Sequence, residues 1–168
     1  MQRRTLVQIL ASSALARPVP AQSPAFFTPS EFQILERLCD LLLPSDATGP
    51  GAREAQLAAS LDAMLHPAPQ ATQQEWRAAL ALVNQAALAA AGRPFLECEP
   101  AVQESVMREM AAAEDQPQTP LQRFFPVFKA LAIDAFSNSP AGKRFFGYQG
   151  DTAIARFSGC THPEHQSS

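Results

Sequence analysis

The chain is poor in cysteine, in β-branched residues and in clustered positive charge, and each scarcity excludes a class of protein. There are three cysteines, Cys39, Cys98 and Cys160. None belongs to a CxxC, which excludes a thioredoxin-like redox site and the covalent haem motif CxxCH. Val and Ile are sparse, and Trp and Tyr occur once each. That composition does not favour a sheet. No stripe of Lys and Arg runs along any segment, so nucleic acid is not an expected partner.

Catalytic signatures are missing too. GxSxG, P-loop and HExxH motifs are absent. Gly147-x-x-Gly150 is too short for a dinucleotide fingerprint, and no βαβ frame surrounds it. The acidic pairs Glu97 with Glu99 and Glu114 with Asp115 lie in hydrophilic breaks that would not hold them face to face in a cleft. His66 ends a helical pattern before Pro67 and reads as a surface residue. Cys160, His162 and His165 fall within the last nine residues with no fourth ligand at a recognisable spacing. Structural zinc needs four ligands, so this cluster reads as a polar tail. No catalytic, cofactor-binding or metal-ligating residue is expected in this chain.

What the chain does have begins with "MQRRTLVQILASSALARPVPAQS". A cationic head is followed by the apolar stretch Leu6 to Ala16 and a tail ending Val19-Pro20-Ala21, the layout of a secretory signal. The stretch is shorter than the ~20 residues of a membrane-spanning helix. Arg3 and Arg4, followed by Thr5-Leu6-Val7, resemble a twin-arginine export signal, although Gln2 stands where Ser or Thr is usual. Arg17 beyond the apolar stretch fits the same route. The competing reading is an amphipathic first helix with a chance Arg-Arg. The export reading divides the chain into a leader over 1–21 and one domain over 22–168. It expects a periplasmic protein that leaves the cytoplasm folded, with a partner or cofactor already attached.

About 147 of the 168 residues would remain after the leader, enough for a single core. Apolar residues make up 46%, with Ala dominant, which favours helix. The formal net charge is −3; without the three leader arginines the remainder holds 10 basic and 16 acidic residues.

Fifteen prolines punctuate the helical patterns. "TPSEFQILERLCDLLLP" predicts a first helix with Thr28 as N-cap, Pro29 in the first turn and Glu31 closing a capping box. Cys39 lies on its apolar face and is expected to pack as a small hydrophobe. After the loop "SDATGPGAREA", a second helix is expected from Ala52 to about Leu65. A third is expected to open at Thr72, with Glu75 completing a capping box, and to end at Gly92. A fourth begins near Pro100. The fifth repeats the cap, proline and box pattern in Thr119-Pro120-Leu121-Gln122. It carries a broad stripe that includes Phe124, Phe125, Phe128 and Phe136. Those rings are expected to pack a core rather than line a cofactor pocket. Cys98 with Cys160 is the one disulfide pairing considered. The fold expected is an all-α bundle of about five helices with a long irregular C-terminal segment.

That last segment, "SPAGKRFFGYQGDTAIARFSGCTHPEHQSS", interleaves glycines with aromatics. One short helical turn is expected near Ala141 to Phe146 and another near Thr152 to Arg156. Phe145, Phe146, Tyr148 and Phe157 are candidate interface anchors, since rigid aromatics dominate binding surfaces. They could equally fold back as a lid over the bundle, and both readings can hold together. The loop from Pro44 to Arg53 is a second candidate contact, or a purely structural turn.

Several stretches together resemble the gluconate 2-dehydrogenase subunit 3 family. They are "LERLCDLLLPSDATGPGAREAQLAASLDAML", Trp76, "AAGRPFLECEPAVQESVM", "FFPVFKALAIDAFSNSPAGKRFFGYQG" and "FSGC". The resemblance implies a small subunit exported by the twin-arginine translocase. Its implied partner is a large FAD-containing dehydrogenase of the glucose–methanol–choline type, which lacks its own signal and holds the flavin. A multihaem cytochrome c is a further implied partner, passing electrons to membrane quinone. The small subunit would assist export, maturation or stability of the flavoprotein at the inner membrane. The reading from a different class is a free-standing periplasmic helical protein that binds a small apolar ligand in its core.

Overall fold

The computed structural model describes residues 24–148 and 150. Six α-helices account for most of them: α1 (Pro29–Leu42), α2 (Leu57–Leu65), α3 (Gln70–Ala91), α4 (Pro100–Ala111), α5 (Pro120–Asn138) and α6 (Pro140–Phe145). A 3₁₀ turn, Phe95–Glu97, lies between α3 and α4. The all-α bundle expected from composition is the fold observed. Helix α5 is its hub and packs on α2, α3, α4 and α6, while α1 closes the bundle against α2, α3 and α4.

Two helix starts follow local chemistry as expected. Thr28 caps α1: its hydroxyl accepts from the Glu31 N–H, and the Glu31 carboxylate accepts from the Thr28 N–H at 2.8 Å. Thr119 and Gln122 repeat the arrangement at α5. Each box satisfies two of the four N–H groups that a helix start leaves without partners.

Two other starts differ from expectation. Helix α2 begins at Leu57, not Ala52. Residues 52–56 form tight turns instead, with the Leu57 N–H donating to the Ala52 carbonyl and Gln56 in the left-handed region at φ +51°. A residue there breaks the helical path. Ala52 and Ala55 are buried all the same, which is why their spacing imitated a helix face. Helix α3 begins at Gln70 after Pro69, with no side-chain cap, so Thr72 lies inside the helix and makes no capping box. Proline at the N-cap had already set the extended backbone that stops the preceding turn.

The core is one cluster. Phe128, Leu35, Leu38, Leu61 and Val83 are fully buried, each contributing about 1.5–3 kcal/mol by leaving water. Trp76 of α3 stands edge-on to Phe124 at 5.0 Å and to Phe128 at 6.4 Å, and the two phenylalanines stack at 5.9 Å. The stripe of α5 therefore packs a core, as its spacing predicted. Cys39 is buried as expected, and burial, helped by Asp40 and Glu36, pushes its thiol pKa far up. Cys98 is buried and free, its thiol near the Arg93 and Pro94 carbonyls. Cys160 lies outside the described residues.

Every buried polar side chain among the described residues has a partner. Asp62 of α2 accepts from the backbone N–H groups of Ala25, Phe26 and Phe27. Gln103 of α4 accepts from Arg37 Nε at 2.6 Å and donates to the Phe95 carbonyl at 2.8 Å, joining α1, α4 and the 3₁₀ turn.

Candidate functional site

The segment from Ser139 to Gly150 is where short sequence motifs turn into surface geometry. Ser139 ends α5 and starts α6. Its hydroxyl donates to the Phe136 carbonyl at 2.7 Å and accepts from the Gly142 N–H at 2.9 Å. Pro140 occupies the first turn of α6. Gly142 is buried, and a Cβ there would stand 2.0 Å from the Phe136 carbonyl oxygen. Ser-Pro-x-Gly is thus a corner that folds α6 directly back onto the end of α5.

Gly147-Tyr148 closes α6 at the other end. Gly147 takes φ +70°. Its N–H donates to the Arg144 carbonyl at 3.1 Å, and the Tyr148 N–H reaches back to the Lys143 carbonyl at 2.9 Å. These two bonds are a Schellman motif, which needs a left-handed residue and so favours glycine. The Lys143 ammonium lies 5.6 Å from the centre of the Tyr148 ring.

Phe145 at the end of α6, and Phe146 and Tyr148 in the turn that caps it, are 51%, 62% and 48% exposed. The two phenylalanine rings sit 5.3 Å apart and 6.3 and 6.0 Å from the Phe136 ring beneath them. The cluster is therefore anchored at its base and open at its face. Arg3, Arg4 and Phe157 lie outside the described residues, as do Cys160, His162, His165 and the turn expected near 152–156.

The loop after α1 comes up against this cluster. A Cβ on Gly49 would meet the Phe145 ring at 2.6 Å, so the ring lies on the glycine backbone. The rest of the loop folds on itself. A Cβ at Gly51 would stand 2.5 Å from the Ser45 nitrogen, and the Ala52 N–H donates to the Leu43 carbonyl. Arg53 grips the Asp40 carboxylate from Nε and Nη2 at 2.9 and 2.6 Å. Asp46 accepts from the Thr48 hydroxyl and N–H, which holds its carboxyl below the usual range. Glu54 is lowered likewise, by Ser45 first and the Gly51 N–H after it. Most of the loop's particular residues are thus structural, while Gly49 serves the aromatic cluster.

Recesses are shallow. One of about 240 Å³ opens between α1, α4 and α5, lined by Leu41, Leu42, Met107 and Phe125 among others. Phe125 alone represents the α5 stripe there; the other rings are occupied with each other and with Trp76. Among the described residues no group of three metal-binding side chains gathers, and no helix is long and apolar enough to cross a membrane.

Sequence reasoning missed Val127 and Ile133, both 55% exposed on the outer side of α5. The available signal was that α5 holds more apolar residues than one buried stripe requires.

The fold and this surface define a small all-α protein with a rigidly mounted, solvent-facing aromatic cluster. The chain belongs to the gluconate 2-dehydrogenase subunit 3 family, whose model matches residues 29–150. The family's name makes its members subunits of a dehydrogenase complex. No curated protein and no solved structure gives a match.

Proposed function

We propose that this chain is the non-catalytic small subunit of a periplasmic, FAD-dependent sugar or alcohol dehydrogenase of the glucose–methanol–choline type. In this reading the flavin and the substrate chemistry belong to the large subunit. The small subunit binds it, takes it through the twin-arginine translocase by means of Arg3 and Arg4, and supports its maturation or stability. A multihaem cytochrome c then carries electrons to the inner membrane.

The observation that carries the reading is the aromatic cluster of α6. Three large side chains, Phe145 on a short helix and Phe146 and Tyr148 in the turn that caps it, are held half-exposed, with a serine corner fixing the start of the helix and a glycine cap its end. Pre-ordered aromatics lose little entropy on binding, which suits them to a protein interface. The apolar-ligand reading has less support, because the core rings that would line such a cavity pack on each other.

The test is purification of the C-terminally tagged chain from its native host in mild detergent, from both cytoplasmic and periplasmic fractions. A flavin-absorbing protein at near-equal stoichiometry is expected in the periplasm. With Arg3→Lys and Arg4→Lys together, both proteins are expected to stay in the cytoplasm. A lone chain would end the subunit reading. A flavoprotein that still reached the periplasm beside the double variant would end the carrier role.

A further inference from the structure

The rings of Phe145 and Phe146 are supported at their base and open at their face. Phe136 lies against both, and the Phe145 ring also rests on the Gly49 backbone. Tyr148 is engaged beyond its contact with Lys143, so the bare part of the cluster is the phenylalanine pair. Gly147 and Gly150, at φ +70° and +98°, bend the chain immediately after that pair.

Residues 151–168 continue the chain from this point. Their apolar side chains are gathered at the start. Ala153, Ile154, Ala155 and Phe157 come first, and from Ser158 onward only Gly159, Cys160 and Pro163 interrupt polar residues. Two large apolar side chains, Ile154 and Phe157, are too few to build a core of their own and need a surface to leave water. Along the chain, the nearest bare one is the phenylalanine pair. Ile154 and Phe157 lie four and seven residues past Gly150, a reach of about 14 and 25 Å when extended, and α6 is only about 9 Å long. Closing so short a loop costs little, and the tether keeps the two groups at high effective concentration. Ile154 and Phe157 are three residues apart, and the helical turn expected near Thr152 to Arg156 puts them on one side. Residues 135–150 hold Lys143 and Arg144 and no acid; Asp151 then opens the tail with the opposite charge.

We propose that in the free chain residues 151–157 fold back on the Phe145 and Phe146 pair, with Ile154 and Phe157 covering the two rings, and that the dehydrogenase subunit displaces them when it docks. The cover stands on the chain's own residues; the displacement rests on the subunit reading above. Phe157 then serves the chain itself before a partner arrives. A cover of two side chains hides the aromatic surface from chance contacts, yet it is small beside a protein interface and gives way to one.

The experiment uses the full chain, alone and dilute, with a photo-crosslinking phenylalanine analogue in place of Phe146, which keeps the ring. Illumination is expected to join position 146 to residues 153–158 of the same chain. Ile154→Asp with Phe157→Asp is expected to abolish that crosslink and to raise the fluorescence of a dye that reports exposed apolar surface. Crosslinks to the bundle alone, to Val127 and Ile133 or to a second copy would overturn the cover, as would a crosslink that survives the double variant. Association with the dehydrogenase subunit is measured separately, on chains that keep Phe146. The double variant is expected to bind it roughly tenfold more tightly, the factor by which a cover closed about nine-tenths of the time masks a site. Equal affinity for the two forms would overturn the displacement while the crosslink still decided the cover. If neither form bound a flavoprotein, the subunit reading would fall, and the free-chain crosslink would stand or fall on its own result.

Discussion

Gly142 shows how one atom can decide a local structure. The position sits where α6 turns back on α5, and the Phe136 carbonyl oxygen occupies the space a Cβ would need at 2.0 Å. The obstacle is backbone, which cannot rotate aside as a side-chain tip would. Gly142→Ala must therefore open the corner, losing the Ser139 hydroxyl bond to the Gly142 N–H and lifting Phe145 and Phe146 from Phe136. The expected cost is about 2–3 kcal/mol, the scale of a forced repacking in a tight interior. Urea unfolding would measure it. Gly147→Ala meets no atom within 4 Å and suffers only the strain of its left-handed backbone, so its cost should be nearer 1 kcal/mol. Equal costs for the two would mean that steric approach is not what selects glycine at the corner.

At the scale of the element, capping chemistry separates what the sequence could reveal from what it could not. Thr28-x-x-Glu31, Thr119-x-x-Gln122 and Thr72-x-x-Glu75 read alike, yet only the first two cap helices. The difference is the residue before them. Pro69 fixes an extended backbone at the true N-cap and moves the start of α3 three residues earlier than a Thr72 cap would place it, leaving the Thr72 hydroxyl without a capping role. Thr28→Ala and Thr119→Ala should each cost about 1 kcal/mol, while Thr72→Ala should stay within about 0.5 kcal/mol of the original. Thermal melts of the three variants check this, and a Thr72 cost equal to the others would contradict the observed start of α3. The same logic explains what else was legible. Periodicity found the helices and the Phe124 to Phe136 core stripe, because burial repeats with the helix. It failed at Ala52 and Ala55, where turns bury small residues as well as a helix does. It also hid the outer ridge of α5: Val127 and Ile133 are apolar like their buried neighbours, and only the packed arrangement shows which side is covered. Phe145, Phe146 and Tyr148 stood out because they follow the last long helix among glycines, in a place where a core has little use for them.

For the molecule as a whole, the start of the described chain is as firmly held as its end. Asp62, 3% exposed on α2, gathers the N–H groups of Ala25, Phe26 and Phe27. Arg77 of α3 donates to the Phe26 carbonyl at 2.8 Å and stacks over the Phe26 ring at 4.7 Å. Phe27 is buried beside them. The chain that leads out of residues 1–21 is thus tied into the bundle only once α2 and α3 are in place, so the anchor forms with the fold rather than ahead of it. Removing the carboxylate leaves three N–H groups without their acceptor, one of them buried. Asp62→Ala should lose about 3 kcal/mol, since bonds to a charged group are worth about 1.5–3 kcal/mol and an unsatisfied buried donor adds its own desolvation cost. The readout that distinguishes this anchor from ordinary core packing is limited proteolysis under native conditions. Residues 24–28 should become the first site of cleavage in Asp62→Ala, ahead of global unfolding, while a core variant such as Val83→Ala should lose comparable stability without exposing that site. If both variants are cut only when the whole domain unfolds, the N-terminal segment is held by its apolar contacts alone, and the carboxylate is not what fastens it.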